Sequence, residues 1–238
     1  MERIAANGQN TVLRQSATVF MEESIKARYS YNFSWLGRPI IQYPQDIVAM
    51  QELIWSVKPD LIIETGIAHG GSIIFSASML ELNATCGGPR DAEVVAVDID
   101  IRAHNHAAIV AHAMSRRVSM IQGSSVALET IEQVKAKATG KQRVMVCLDS
   151  NHTHDHVLAE LKAYAPLTSV GSYCVVFDTI IEDMPGEIIE DRPWSPGNNP
   201  KTAIRAYLEA HSEFEIDRQM DSKLLISVSP SGFLKRIR

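Results

Sequence analysis

Short apolar runs alternate along the chain with longer segments in which apolar residues recur every three or four positions. Runs without polar alternation suit strands that are covered on both faces, and the segments between them have a helical period. The predicted strands span residues 61–64, 93–98, 118–121, 143–148 and 173–177. This alternation predicts an α/β fold, doubly wound, with a mostly parallel sheet and helices on both faces.

The regions on either side of these strands have weaker patterns. Residues 1–10 are polar and are predicted to be loose, whereas residues 11–29 and 45–57 have helical patterns. Residues 31–44 mix aromatic residues with Gly and Pro, which predicts a structured loop in a cleft wall. Near the other end, residues 201–211 are predicted to be helical, and residues 214–217 and 224–228 to be closing strands with an antiparallel edge.

A glycine-rich turn follows the first predicted strand. Gly66 permits a tight turn, and Gly70 and Gly71 remove side chains where free N–H groups of a helix start face a ligand. The spacing is not that of a dinucleotide loop, and Glu64, which ends the strand, would repel a pyrophosphate but hold an ammonium group. The turn therefore suits S-adenosylmethionine, although glycines that serve packing alone are the structural alternative. The predicted cofactor contacts here are Glu64, Gly66, His69, Gly70, Gly71 and Ser72.

Four predicted strands end in carboxylates, namely Glu64, Asp98, Asp149 and Asp178. Ligands of open α/β sheets bind beyond the carboxyl ends of the strands, so these groups are expected at one crevice. Asp98 is predicted to accept the ribose hydroxyls, with a helix cap as the alternative. Asp149 and Asp178 are predicted to share a divalent cation such as Mg²⁺, which takes one or two carboxylates and several waters.

Two further groups of polar residues follow strands. Ser124 and Ser125 begin a predicted helix and are candidates for the adenine contact, with a plain N-cap as the alternative. His152, His154 and His156 superficially resemble a metallo-hydrolase motif, but its register is one residue short and alternate helical residues diverge, which disfavours a zinc site. His152, three residues after Asp149, is predicted to be a general base, with a helix cap as the alternative.

Composition narrows the class of protein. The 238 residues suit one α/β domain with additions, and the net charge of -5 without a Lys/Arg run disfavours a nucleic-acid partner. Three scattered cysteines and the lack of an export or membrane-length segment predict a cytoplasmic protein without a membrane partner. Residues 180–199 are long and Pro-rich for a connection, and with Trp194 they predict a lid.

Several motifs together resemble the cephalosporin hydroxylase/rhamnosyl O-methyltransferase family, whose members depend on S-adenosylmethionine. They are residues 35–40 (WLGRPI), 63–66 (IETG) with 69–72 (HGGS), 97–100 (VDID), 148–154 (LDSNHTH), and 197–201 (GNNPK) followed by 223–226 (KLLI). Related sugar and antibiotic O-methyltransferases bind Mg²⁺ through an Asp at the position of Asp149 and an acidic pair after the next strand. In this chain that pair reads Phe177-Asp178, so one expected ligand is missing.

The resemblance implies a Rossmann-like class I methyltransferase sheet, with an N-terminal helical extension and cleft loop at residues 1–58 and the methyltransferase domain at residues 59–238. It implies methyl transfer to a hydroxyl of a sugar or small secondary metabolite, with Mg²⁺ bound by Asp149 and Asp178 and with Asp149 and His152 as catalytic residues. A homo-oligomer is compatible with it. A Rossmann-type oxidoreductase and a non-catalytic binding or assembly subunit are the alternatives, and no iron site for hydroxylation is predicted.

Overall fold

In a computed structural model that describes residues 2–189 and 191–238, helices cover both faces of a seven-stranded sheet. In chain order the strands are β1 (Ser34–Trp35), β2 (Arg38–Pro39), β3 (Leu61–Thr65), β4 (Glu93–Asp98), β5 (Val118–Gln122), β6 (Val144–Leu148), β7 (Tyr173–Val176), β8 (Phe214–Ile216) and β9 (Phe233–Arg236). The α-helices are α1 (Glu2–Gln9), α2 (Thr11–Lys26), α3 (Pro44–Val57), α4 (Gly71–Thr85), α5 (Ala103–Val110), α6 (Leu128–Ala138), α7 (His154–Tyr164), α8 (Pro200–Leu208) and α9 (Arg218–Leu224).

The strand order in the large sheet is β5-β4-β3-β6-β7-β9-β8. Strands β3 to β7 pair in parallel, whereas β9 is antiparallel to both β7 and β8. The predicted fold class is therefore confirmed, including the antiparallel edge. The order reverses between β3 and β6, and a ligand crevice in such sheets opens at that switch point.

Burial on both faces explains the unbroken apolar runs of the central strands. In β3, Ile62 packs with residues of α3 and α4, and Leu61 and Ile63 pack on the opposite face with residues of α7 and α8. Alternate residues of a strand point to opposite faces, so a strand between two helical layers needs apolar residues at every position. The two layers fix the ends of β3 and β6 beside each other.

The N-terminal region differs from its prediction, because residues 2–9 form α1 instead of a loose segment. This helix packs against α9 so closely that a side chain at Gly8 would overlap Ser222. Its partner lies more than two hundred residues away in sequence, so no local pattern reveals the contact. The next helix, α2, begins where the Asn10 side chain accepts a hydrogen bond from Leu13 N, and it ends at Lys26.

The prediction of a strand over residues 224–228 is wrong. Helix α9 extends to Leu224, and Leu225 then adopts φ +59°, which breaks regular structure. Ser227 Oγ and Val228 N donate hydrogen bonds to the buried Asp46 carboxylate at 2.6 and 3.0 Å, so this segment is tied to α3. The closing strand is β9, farther along the chain. Within the described residues, no helix is both long and apolar enough to span a bilayer.

Candidate active site

Gly66 makes the tight turn that leads out of β3, as predicted. It has φ +92°, and a Cβ atom there would lie 2.0 Å from the carbonyl oxygen of Asp149. The backbone of the turn therefore passes directly against the residue that follows β6. This close approach joins the glycine turn to the carboxylate end of the neighbouring strand.

Gly70 and Gly71 are required by packing, and their predicted contact with a ligand stays a prediction. A Cβ at Gly70 would meet the Ile109 side chain at 2.6 Å, and a Cβ at Gly71 would meet the Pro39 carbonyl oxygen at 2.2 Å. Both glycines thus let α5 and the β1–β2 hairpin close over the start of α4. The alternative that the sequence left open, glycines that serve packing, describes these two positions.

Side chains from three directions hold the backbone of the glycine turn. Asp98 Oδ2 accepts hydrogen bonds from Ile67 N at 2.8 Å and Ala68 N at 3.2 Å. On the other side, Arg38 Nε donates to the carbonyl oxygen of His69 at 3.0 Å, and Asn105 Nδ2 donates to that of Ala68 at 2.9 Å. Arg38 and Asn105 were not among the predicted site residues. The turn is therefore preorganised before any ligand binds.

Glu64 is buried beneath the turn, where Ser76 Oγ donates a hydrogen bond to its Oε2 at 3.3 Å. Burial raises the pKa of this carboxyl from 4.5 to about 7, and hydrogen bonds from Ser72 and Ser76 oppose the rise. Its side chain lies close to the site but not in the wall of the cavity described next. Contact between Glu64 and a ligand's ammonium group stays a prediction.

A cavity of about 220 Å³ opens over the glycine turn, and we call it the loop cavity. Its wall includes four of the predicted cofactor contacts, namely Gly66, His69, Gly71 and Ser72. The predicted contacts Glu64, Gly70, Asp98, Ser124 and Ser125 are not part of that wall. The loop cavity also reaches Asp149, His152 and Asp178, so the turn and the strand-end carboxylates face one space.

Asp149, His152 and Asp178 form a cluster in which one ligand atom from each lies within 4.8 Å of the others. His152 Nε2 is 3.1 Å from Asp178 Oδ2. Burial, followed by the Asp178 and Glu64 carboxylates, raises the pKa of Asp149 well above its usual range. Asp178 has φ +56°, a left-handed conformation that Asp tolerates better than most residues and that turns its side chain out of the β7 direction.

A second cavity, of about 410 Å³, adjoins the first, and we call it the large cavity. The two cavities share the wall residues Tyr31, Ile41, Gln42, Asp149 and Asp178. The rest of its wall mixes two kinds of side chain. The apolar or aromatic ones include Phe177, Ile180, Met184, Trp194 and Val228, and the charged ones are Arg28, Glu187, Asp191 and Arg192.

Trp194 also covers one side of the cluster. Its ring meets the His152 ring edge to face, with centroids 4.6 Å apart, and the Arg192 guanidinium lies 5.4 Å from the Trp194 ring centroid. Both Arg192 and Trp194 also lie in the wall of the large cavity. They belong to the segment that the sequence predicted to be a lid.

The three histidines diverge, as the helical geometry predicted. His154 Nδ1 lies 2.8 Å from Thr202 Oγ1 of α8, whereas His156 Nε2 lies 3.0 Å from Ser125 Oγ and 3.2 Å from Ser150 Oγ. His152 alone of the three joins the two carboxylates. No shared metal site of the hydrolase type exists among these described residues.

Ser124 and Ser125 do not begin a helix, because α6 starts three residues later at Leu128. Ser125 is buried, and its carbonyl oxygen accepts a hydrogen bond from Tyr164 Oη at 2.5 Å. The N-cap alternative is therefore wrong for both residues. Contact with an adenine ring stays a prediction.

The residues of the N-terminal segment that line both cavities were not identified from the sequence. Tyr31, Ile41 and Gln42 belong to the stretch that was predicted only as a cleft wall. Ile40 and Tyr43 on either side are buried, and the Tyr43 hydroxyl lies 2.7 Å from Ser24 Oγ of α2. All of residues 40–43 line at least one cavity, and the mixture of aromatic residues with Gly and Pro that predicted a cleft wall was the available signal.

The chain is similar to known proteins over most of its length. A sequence model of the family described as Rhamnosyl O-methyltransferase/CmcI matches residues 27–237. The Rhamnosyl O-methyltransferase of Mycobacterium tuberculosis is 32% identical over 199 residues, which cover 80% of this chain and 73% of that protein. The Mycobacterium leprae protein of the same name is 30% identical over 207 residues, covering 85% and 82%.

Solved structures have the same fold. A CmcI structure described as Mg-SAM has a TM-score of 0.58 at 19% identity, covering 87% of this chain and 78% of CmcI. The O-methyltransferase TomG of Streptomyces achromogenes, described as a complex with SAM, has a TM-score of 0.53 at 17% identity, covering 85% and 78%. At these identities the likeness concerns the fold.

Proposed function

This chain belongs to the Rhamnosyl O-methyltransferase/CmcI family, and we propose that it transfers the methyl group of S-adenosylmethionine to a hydroxyl oxygen of a sugar or small secondary metabolite. The predicted family and the prediction of an S-adenosylmethionine-dependent O-methyltransferase are confirmed by that membership. The name of the mycobacterial relatives supports a sugar hydroxyl as the acceptor.

The observation that carries the proposal is the meeting of two cavities at one reactive cluster. A methyl transfer needs the sulfonium donor and the acceptor oxygen in line across the moving carbon. In this chain the loop cavity suits the cofactor and the large cavity suits the acceptor, with Asp149 and Asp178 in the wall of both. The acceptor hydroxyl then lies at the shared boundary, beside Asp149 and Asp178, and His152 in the wall of the loop cavity is 3.1 Å from Asp178.

Asp149 and Asp178 have the donor chemistry of a divalent cation site. They are adjacent carboxylates, and among the described residues His152 is the one basic side chain within ion-pair distance of either. Hard cations such as Mg²⁺ take this kind of oxygen ligand and keep open positions for water and substrate. A cation bound here would lower the pKa of an acceptor hydroxyl.

His152 is the proposed base for the acceptor proton. Nε2, at 3.1 Å from Asp178 Oδ2, is oriented by that carboxylate, which also stabilises the imidazolium that forms on proton uptake. Trp194 packs on the ring and shields this side of it from water. Asp149 contributes a carboxylate on the opposite side of the acceptor oxygen.

The remaining assignments are part of the same proposal. The cofactor lies over Gly66, His69, Gly71 and Ser72, and the other predicted contacts, Glu64, Gly70, Asp98, Ser124 and Ser125, act on its ammonium, ribose and adenine groups or on the turn that holds them. The division of the chain at residue 58, a cytoplasmic location, a possible homo-oligomer and the absence of nucleic-acid and membrane partners stay predictions.

Turnover tests the proposal directly. Purified protein is incubated with methyl-labelled S-adenosylmethionine, MgCl₂ and a panel of rhamnosides, other glycosides and phenols, and label in the organic product is counted. Calorimetry with S-adenosylhomocysteine measures the cofactor site separately. Transfer to an acceptor hydroxyl supports the enzyme, cofactor binding without transfer to any acceptor favours the non-catalytic alternative, and the lack of both contradicts the proposal. The family does not favour the oxidoreductase alternative.

A further inference from the structure

The acidic pair of related enzymes is incomplete in this chain, and the structure shows what fills the place. Phe177 stands where the first acid of the pair is expected, is only 5% exposed and turns its ring toward the large cavity. A phenyl ring offers no ligand to a hard cation. A third protein oxygen, if the site has one, must come from another part of the chain.

Gln42 brings an amide to the carboxylates from the opposite side. Gln42 is 5% exposed, and its Nε2 donates a long hydrogen bond of 3.5 Å to Asp149 Oδ2. Gln42 also lines both cavities, together with Asp149 and Asp178. It is therefore adjacent to the proposed cation position and not merely near the cleft.

The backbone on either side holds Gln42 in place. Ile40 is 2% exposed and packs directly over Gly71, and Tyr43 is 1% exposed with its hydroxyl bonded to Ser24. Asp46, in the first turn of α3, anchors the following helix through Ser227 and Val228. A side chain between two buried anchors gives up little conformational freedom when it binds a ligand.

The carboxamide of Gln42 can interact favourably with the site whether or not a cation is bound. Its NH₂ group donates to a carboxylate when no cation is bound, and a half-turn about its last torsion presents its carbonyl oxygen as a neutral ligand. A carboxylate in the same place would add a third negative charge to Asp149 and Asp178. An amide avoids this repulsion when the cation leaves.

We propose that Gln42 is a cation ligand that supplies, from the N-terminal segment, the protein oxygen that Phe177 lacks. This inference rests on the cation of the proposed function and adds the identity of its third ligand. It also means that the cation joins the segment before α3 to the ends of β6 and β7. The site is then neutral overall, with two carboxylates, one amide and one divalent cation.

The test is a titration of the full-length protein with Mn²⁺, followed by electron paramagnetic resonance of the free ion, without acceptor or turnover. Gln42→Met keeps the volume of the side chain but removes the hard oxygen, and we expect it to weaken Mn²⁺ binding on the order of tenfold or more. Gln42→Glu adds a carboxylate and is expected to bind Mn²⁺ at least as tightly as the wild type. Gln45→Met, which removes an amide in the first turn of α3, is the matched control and should leave the affinity unchanged. Thermal melting of each variant verifies the fold.

Each outcome bears on a different claim. Unchanged Mn²⁺ affinity in a folded Gln42→Met protein overturns the role of Gln42 while the proposed function stands. Loss of affinity in His152→Ala with none in Gln42→Met assigns the third ligand to the imidazole and also overturns it. If the wild-type protein binds S-adenosylhomocysteine but no Mn²⁺, the proposed cation site and the role of Gln42 are both overturned. The proposed methyl transfer is not contradicted by that result.

Discussion

The two cavities are built in different ways, although they share a wall. The loop cavity takes much of its wall from one short stretch, residues 66–72, that directly follows a central strand. The large cavity takes its wall from segments around residues 25–31, 41–43, 177–187 and 191–194, together with Asp149 and Val228. The first is built around one local stretch that residues 39–42 and the residues near Asp149 complete, whereas the second has no such stretch and depends on how distant parts of the chain meet, so the two should respond differently to substitution.

The largest expected effect is at the boundary between the two cavities, where His152 lies in the wall of the loop cavity and contacts Asp178, which lines both. His152→Ala removes the proposed base, and kcat should fall by about 10²- to 10⁴-fold while the affinity for S-adenosylhomocysteine stays within a few-fold. Steady-state kinetics and calorimetry measure the two quantities. His154→Ala is the matched control, because His154 faces Thr202 and should keep near-normal kcat. Equal losses in both variants, or a large loss of cofactor affinity, would show that the two cavities do not work separately.

A smaller effect, on stability, is expected on the side of the loop cavity. Gly66→Ala must accept both a left-handed φ and an overlap with the Asp149 carbonyl oxygen, so the free energy of unfolding should fall by roughly 2–4 kcal/mol. Gly140→Ala is the control, since Gly140 has a similar φ of +81° but nothing within 4 Å of its added Cβ. It should cost only about 1 kcal/mol. Urea unfolding measures the loss of unfolding free energy in each variant, and the difference between the two losses gives the cost of the overlap with the Asp149 carbonyl oxygen. Equal losses would contradict the prediction.

The smallest expected effect, counted per pH unit, is the pH dependence of stability. Burial raises the pKa of Asp46 from 3.8 to about 7, against the hydrogen bonds from Ser227 and Val228. Between those values the folded chain binds a proton that the unfolded chain has lost, so this group makes stability fall as pH rises from about 4 to about 7. Asp46→Asn should remove this contribution, which amounts to at most about 1.4 kcal/mol per pH unit. Urea unfolding at pH 5, 6, 7 and 8 compares the slopes, and parallel curves would contradict the prediction.

Sequence reasoning succeeded where a residue's surroundings are local. The strand that contains Glu64, the turn at Gly66 and the carboxylates that follow β6 and β7 were all predicted from short apolar runs with a polar residue at the end. It failed where the structure of a segment depends on contacts with residues that are distant in sequence. Residues 224–228 have the pattern of a strand, yet Asp46 accepts the hydrogen bonds of Ser227 and Val228, and α1 packs against α9, which is distant in sequence.

The same limit applies to prediction of the candidate active site. The cluster of Asp149, His152 and Asp178 was predictable because parallel strands bring their carboxyl ends to one edge of the sheet. The place of Gln42 was not, because it depends on the packing of Ile40 and Tyr43 against elements on both sides. The packing role of Gly70 likewise required knowledge that Ile109 lies above it.

The antiparallel strand β9 has a consequence for how the site is assembled during synthesis. β9 pairs with β7, the strand that leads to Asp178, and a side chain at Gly232 would overlap the Val176 carbonyl oxygen. The outer edge of β7 therefore stays unpaired until residues 233–236 have left the ribosome, some sixty residues after β7 itself. The glycine turn, the cluster residues Asp149 and His152, and the core of parallel strands are translated earlier. Nascent chains should thus form the glycine turn before β7 and Asp178, which both cavities share, are fixed by β9, and the exposed edge of β7 is the place where an interrupted chain would aggregate.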